Sequence, residues 1–368
     1  MTKSQKTILG WCFYDFANSA FTTIIVTFIY SAYFAGGIVG NEAMGQVYWG
    51  NAITICAIII ACLSPIMGAI ADQGGHRKSF LFFWTWICII FSFLLFFPKS
   101  GNIYSALILF SIANISFEMG CVFCNSYVPK ISNLENVGKI SGYGYAFGYL
   151  GGLLALVVGL ITIVLPETPM FGISLENGEN YRSMNILVAL WLLIFSIPTF
   201  IWIDKDKDNK KINIRLIKNS FNQLKNTFRD IKKIKNTLRF LIARLFYNDA
   251  LITIFSFGGI IAKGVYGFGL EKMLMFGILL GVAAGIGSFL MGYIDDFIGP
   301  KKTIQISNFL LIIATFIVVF IDSEIMFWIA GTLVGFSSGP NQSSSRSLMS
   351  RFSPKNKQNE FFGFFAFS

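Results

Sequence analysis

Charge is scarce in this sequence: only 13% of its residues are Asp, Glu, Lys or Arg, where a soluble domain carries about 25%. A chain so poor in charge cannot cover a water-facing surface, so an aqueous enzyme core is excluded. Histidine is scarcer still. The one histidine, His76, has no second His or Cys beside it, so a metal centre and a His–acid catalytic cluster at a membrane face both lack their groups. The six cysteines (Cys12, Cys56, Cys62, Cys88, Cys121, Cys124) all fall in apolar runs and none in a loop, which excludes a disulfide framework. Cys121 and Cys124 form a C-x-x-C, but a redox pair needs a helix N-terminus to lower a thiol pKa; inside an apolar run, packing is the expected role. No G-x-x-x-x-G-K-[ST] loop occurs, and Gly142-Tyr-Gly-Tyr-Ala-Phe-Gly148 has neither the spacing nor the preceding strand of a dinucleotide site. No cofactor is expected.

What the chain has in quantity is apolar: 54% of its 368 residues, 40 of them Phe. Runs of the roughly 20 residues needed to cross a bilayer core predict spans at 11–35, 46–71, 79–98, 103–128, 142–165, 184–203, 239–263, 271–294, 303–321 and 325–349. The first is too long for a signal peptide and contains Asp15 and Asn18. An eleventh span begins near Glu360, and the chain stops at Ser368; the expectation is a truncated sequence whose second bundle holds four complete helices and a stub. Backbone groups in lipid must bond within their own segment, and no barrel alternation occurs, so the spans are expected to be helices.

Lys and Arg set the topology. With the N-terminus inside, inner segments hold 24 and outer segments only four (Lys99, Arg182, Lys263, Lys272), with Arg244 inside a span. This six-to-one bias follows the positive-inside rule. The net charge of +10 is thus a topology signal, and no nucleic-acid partner is implied. The inner segment 204–238 opens with Asp204-Lys-Asp-Lys-Asp and continues with a stripe of Ile217, Phe221, Leu224, Phe228 and Ile231 among bases. That spacing predicts an amphipathic helix, either on an anionic inner leaflet or as a solvated linker. It separates an N-terminal bundle, 1–203, from a C-terminal one, 239–368. Gly144, Gly148, Gly152 and Gly277, Gly281, Gly285 repeat every fourth residue, a spacing that lets helices approach closely.

One hydrophilic turn occurs twice. Gly68-Ala-Ile-Ala-Asp72-Gln-Gly-Gly75-His-Arg77-Lys78 and Gly292-Tyr-Ile-Asp-Asp296-Phe-Ile-Gly299-Pro-Lys301-Lys302 share Gly, an acid, Gly and a basic pair in register, each after an apolar run. The repeat marks a duplicated membrane protein. Together with the two helical sets and the long basic inner loop, it resembles the major facilitator superfamily. The closer resemblance is to the branch of autophagy-related vacuolar amino-acid effluxers and their bacterial homologues. It is carried by Trp11-Cys-Phe-Tyr14-Asp15-Phe-Ala-Asn18-Ser-Ala20, by Asn125-Ser-Tyr-Val-Pro129 with Ser141–Gly152, by Phe246-Tyr247-Asn248-Asp249, and by Ser345-Arg346 with Phe361-Phe-Gly363. The resemblance implies an all-α polytopic fold of two pseudo-symmetric bundles, alternating access, and amino acids as the substrate class. It also implies that Asp72 and Asp296, each with its basic pair, hold a neighbouring helix end; for Asp72 the expected partner is the N-terminus of the eleventh span near Glu360. A plain positive-inside anchor is the alternative for these turns.

Ionisable groups inside a membrane are costly and are default functional candidates. Asp15, Glu118, Arg244 and Asp249 lie well within spans, and Arg346 lies near the inner end of the tenth. The acids are candidates for binding substrate or carrying protons, and Arg244 or Arg346 for holding an anionic group. Ion pairs that lock the helices together are the alternative. Asn18, Asn125, Tyr247 and Asn248 add neutral hydrogen-bonding groups, for solute or as interhelical contacts. The expected function is secondary transport of a small polar solute across a bacterial cytoplasmic membrane, with protons as a possible coupling ion; a non-transporting receptor or assembly partner on the same fold is the alternative.

Overall fold

The computed structural model describes residues 1–204, 206, 210–231 and 235–368. Among these, no residue lies in a strand, and nine helices are long and apolar enough to cross a membrane. They are α1 (Lys3–Ile38), α2 (Glu42–Gly74), α3 (Arg77–Leu94), α4 (Ile103–Ile131), α5 (Val137–Val164), α6 (Glu176–Trp202), α7 (Lys235–Gly264), α8 (Glu271–Ile298) and α9 (Pro300–Phe320). A linker helix, Ile214–Ile231, lies between α6 and α7. Two helices follow α9: α10 (Glu324–Phe352) and α11 (Gln358–Phe367). The chain is an integral, multi-pass membrane protein. Its exposed surface accordingly carries large apolar side chains such as Ile58, Ile108, Ile161, Phe309 and Phe316, which water would not tolerate in such number.

Local sequence sets the helix ends. Asn41 caps α2 by accepting a hydrogen bond from Met44 N at 3.0 Å, and Gly75 ends it at φ +70°, the left-handed turn that glycine takes without a Cβ penalty. The α-helix Lys3–Ala20 passes into π-helical turns at Phe21–Phe28 and Phe34–Ile38. A π turn carries one extra residue and is frequent at functional sites. Pro65 and Pro340 lie inside α2 and α10, where each removes one backbone donor.

The helices pack as two compact units. One holds Met1–Ser126, Gly151–Leu224 and Asn356–Phe367; the other holds Tyr127–Leu150, Lys225–Lys355 and Ser368. In the first, the Trp11 indole donates to the Cys124 carbonyl at 2.8 Å, Tyr14 OH and Thr85 Oγ1 lie 2.9 Å apart, and Thr199 Oγ1 donates to Gly10 O at 2.7 Å. In the second, α7, α9 and α10 share an apolar core of Leu251, Leu311, Ala314, Ala330 and Val334.

Glycines mark the close helix contacts, but not all on the expected stripe. A Cβ at Gly152 would lie 2.5 Å from Thr23 Oγ1. A Cβ at Gly151 would strike Phe16 O, at Gly142 Ser288 O, and at Gly287 Phe336 O. Gly285, on the expected stripe, would reach only ordinary contact with Tyr149, 3.5 Å away. Close approach thus occurs on the expected repeat at Gly152 and off it at Gly142, Gly151 and Gly287.

The linker helix buries only part of its expected apolar stripe, Leu224 but not Phe221. Leu216, Ser220 and Leu224 are buried while Phe221 is exposed. Lys210 N donates to Gly74 O at 2.9 Å, so this part of the linker is seated on the end of α2. Lys205, Lys207 and Asp208 of the charge cluster, and the side chains of Phe228 and Ile231, lie outside the described residues.

Candidate functional site: two helix clasps and a buried polar belt

Each copy of the duplicated turn builds a clasp. Gly68 lets α11 approach α2: a Cβ there would lie 2.5 Å from Asn359 O and 2.8 Å from Glu360 Cα. At that approach Asp72 Oδ1 accepts from Asn359 N at 3.1 Å and Nδ2 at 2.7 Å, and Oδ2 accepts from Glu360 N at 2.9 Å. The N-terminus of the last helix near Glu360, the partner expected for Asp72, is thus the one it meets. Free N–H groups at a helix start welcome a carboxylate as acceptor and as countercharge. Arg77, 3% exposed, completes the clasp through Asn359 Oδ1 (3.0 Å), Gln358 Oε1 (3.0 Å) and Ser126 O (2.8 Å). Lys78 donates to the carbonyls of Phe200 (2.7 Å) and Ile203. The linker adds a bolt: Gln223 Nε2 donates to Glu360 Oε2 at 2.7 Å and Gln223 Oε1 accepts from Gln73.

The second copy repeats the geometry on a different partner. A Cβ at Gly292 would lie 3.0 Å from Gly138 O and 3.3 Å from Gly142 Cα. Asp296 Oδ1 and Oδ2 accept from Gly138 N (2.7 Å) and Lys139 N (3.0 Å), the first amides of α5. Gly299 closes the turn at φ +92°, ψ 151°, a conformation essentially restricted to glycine. The bases differ between copies. Lys301 and Lys302 are exposed, and the cation at this clasp is Arg351 of α10, 3.5 Å from Asp295 and 3.7 Å from Asp296.

The intramembrane candidates fall into two groups. On α1 and α4, Asp15, Glu118 and Asn125 are half-buried and engaged with neighbours, and Asn18 Nδ2 reaches Cys121 Sγ at 3.5 Å. On α7, Arg244 is buried and donates to Gln342 Oε1 (3.4 Å) and Ser368 Oγ (3.2 Å). Gln342 Nε2 in turn donates to Asn248 Oδ1 at 2.7 Å, and Tyr247 OH lies 2.6 Å from Ser345 Oγ. Asp249 stands apart, exposed and with no side-chain partner among the described residues. Arg346, 1% exposed, donates to Ser141 Oγ (3.0 Å) and Ser141 O (2.8 Å) and stacks its guanidinium 4.3 Å from the Tyr145 ring.

The sequence reading missed most of the polar groups that surround Arg244 and Arg346. The second half of α10 is a buried polar belt: Ser337, Ser338, Asn341, Ser343, Ser344, Ser345, Arg346 and Ser347 are each at most 1% exposed. Asn341 Nδ2 extends it to Asn308 Oδ1 on α9 at 2.6 Å. The available signal was a run of small polar residues in an otherwise spanning helix, since polar groups inside a membrane must find partners. Asp295, beside the motif acid, was missed as well.

The model of the family described as "Vacuole effluxer Atg22 like" matches residues 48–138 and 131–368. The chain belongs to that family. It is 26% identical over 368 residues to the MFS-type transporter YxiO of Bacillus subtilis, covering 99% of this chain and 85% of that one. It is 23% identical over 343 residues to autophagy-related protein 22 of Kluyveromyces lactis, covering 84% and 67%. Among solved structures it resembles a bacterial homologue of the iron transporter ferroportin in its outward-facing state (TM-score 0.69, 13% identity, 100% of this chain and 89% of that one). It also resembles the proton:xylose symporter XylE (TM-score 0.64, 12% identity, 99% and 84%). At these identities the structural likeness establishes the major facilitator fold. This member of the Atg22-like family is therefore a major facilitator-type transporter, and the relatives it matches by name are transporters rather than enzymes.

Proposed function

We propose that this chain carries a small polar solute, with amino acids as the class, across a bacterial cytoplasmic membrane by alternating access, its N-terminus facing the cytoplasm. The observation that carries this reading is the pair of clasps. Two copies of one turn each place a carboxylate on the N-terminal amides of a helix from the other sequence half, α2 on α11 and α8 on α5. Residues 1–203 and 239–368 are then the moving bodies, and the clasps are gates that form and release as a pair. The buried belt of α10, with Arg244, Tyr247 and Asn248 of α7, offers donors and acceptors suited to a zwitterionic or hydroxylated solute. Amino acids are the class that the sequence resemblance to the vacuolar effluxers implies. Glu118 and Asp249 are the coupling carboxylates in this scheme, with Asp15 nearer the entrance.

Counterflow in proteoliposomes tests it. Liposomes loaded with an amino-acid mixture should accumulate a labelled member of that mixture, and an imposed pH gradient should change the rate. Glu118→Gln and Asp249→Asn should each blunt the response to the gradient. Solute-dependent thermal stabilisation without counterflow would reject transport in favour of a receptor.

A further inference from the structure

The acid that the sequence pattern passes over, Asp295, is the most unusual polar group at the second clasp. Its side chain is 1% exposed and neighbours Asp296, itself 9% exposed. Asp296 is well satisfied by two backbone amides at 2.7 and 3.0 Å. Asp295 is not. Oδ1 accepts from Ser347 Oγ at 3.0 Å and lies 3.5 Å from Arg351, but Oδ2 has no hydrogen-bond partner. The hydroxyl of Ser344 lies beside this carboxyl as a potential donor. Two buried carboxylates thus share one guanidinium. On α5, the Lys139 ammonium sits over the Tyr293 ring, 5.6 Å from its centroid, and the exposed Lys301 and Lys302 follow the turn. A buried ionised carboxylate with an unbonded oxygen is expensive.

Even with the Ser344 hydroxyl turned toward Oδ2, two buried carboxylates face one guanidinium, and one added proton removes that excess charge. A neutral Asp295 has an O–H that donates to Ser344 Oγ, leaves Oδ1 to accept from Ser347, and leaves Arg351 to balance Asp296 alone. The first copy of the turn supplies the control: its corresponding residue is Ala71, also 1% exposed, so the clasp closes without an acid there. We propose that Asp295 is a proton-binding site, its Oδ2 protonated from water while α8 is clasped to α5 and α10, and releasing that proton when the clasp opens and water reaches the carboxyl. Occupancy of the site is independent of transport; its role in coupling rests on the transport reading above.

The test is infrared difference spectroscopy on the full-length protein in nanodiscs, titrated from acid to alkaline pH. The wild type should show a titrating carboxylic-acid C=O band that decreases by one carboxyl per chain in Asp295→Asn and is retained in Asp296→Asn. Asp295→Ala, which copies the first turn, gives the same comparison should the Asn variant fail to fold. In parallel, amide exchange at Gly138 and Lys139 should accelerate with rising pH beyond its intrinsic dependence in the wild type, and lose that excess in Asp295→Asn. A band unchanged in Asp295→Asn would overturn the proposal. So would displacement of the band by sodium, with sodium stabilising the wild type and not the variant, which would mark a cation site. Counterflow lost with the band intact would sink the transport reading alone; the band absent with counterflow intact would sink the proton site alone.

Discussion

Replacing Asp296 by Ala removes the acceptor of two amides that have no intrahelical partner, Gly138 N and Lys139 N at the start of α5. Losing a side-chain cap costs about 1 kcal/mol, and losing a negative charge at a helix N-terminus costs roughly 0.5 kcal/mol more. The 3.7 Å contact with Arg351 is too long to add much. The sum, about 1.5 kcal/mol, is on the order of a tenfold shift toward the open clasp. Hydrogen exchange read on a peptide spanning 133–142 measures it directly, because the affected amides are the reporters. Exchange of these two amides should be about tenfold faster in Asp296→Ala, and Asp296→Asn should fall between, since an amide oxygen still accepts but carries no charge. Protection in Asp296→Ala equal to wild type would refute the clasp as the restraint on α5. Protection equally lost in Ala and Asn would assign the whole effect to charge and refute the cap.

Three further outcomes are expected. Gly142→Leu, which drives a side chain into Ser288 O, should lower the melting temperature well below that of Gly50→Leu, where nothing lies within 4 Å; overpacking typically costs 1–3 kcal/mol, and equal melting temperatures would rule out a tight α5–α8 seam. Arg346→Lys cannot keep both bonds to Ser141 and the stack on Tyr145, so it should destabilise by about 1–3 kcal/mol, read by thermal unfolding with Arg351→Lys as the comparison. Gln223→Leu should speed amide exchange across 214–224 by several-fold, since the bond to Glu360 contributes about 1 kcal/mol or more; unchanged exchange would show that Leu216 and Leu224 alone seat the linker.

What could be read from sequence alone divides along physical lines. The first nine spans were legible because apolar length is a property of single segments; the tenth, 325–349, falls in α10, which is long but is not among the nine helices apolar enough to cross. The repeated turn was legible because it occurs twice in register, with Gly75 and Gly299 at the positive φ the turn requires; the helices that Gly68 and Gly292 let approach are far away in sequence. The contacts of Asp15 and Arg346 are a different matter. A charged residue in an apolar run announces itself, yet nothing in the run says that Arg346 bonds to Ser141, 205 residues away. Asn341, Gln342 and Ser345 went unread because small neutral polar groups scarcely mark a spanning sequence, and only their burial together makes a belt. Asp295 was hidden by its neighbour, since the pattern calls for one acid at the turn and Asp296 fills that place. The linker's apolar stripe was legible only in part: Leu224 is buried but Phe221 is exposed, and Gln223 is held by its bond to Glu360, which hydrophobic spacing does not register.

The two clasps also differ in when they can first form. Asp296 emerges from the ribosome 158 residues after Gly138, so the α5 amides it holds have long been waiting for it. Asp72 emerges 287 residues before Asn359, and at about 5–20 residues per second it waits on the order of 15 to 60 seconds for its helix. During that interval α2 carries an uncapped carboxylate and an unmatched Gly68 face. A nascent chain would therefore close its α8–α5 contact soon after α8 is made and its α2–α11 contact only later, which makes the Asp72 clasp the later of the two checkpoints of assembly.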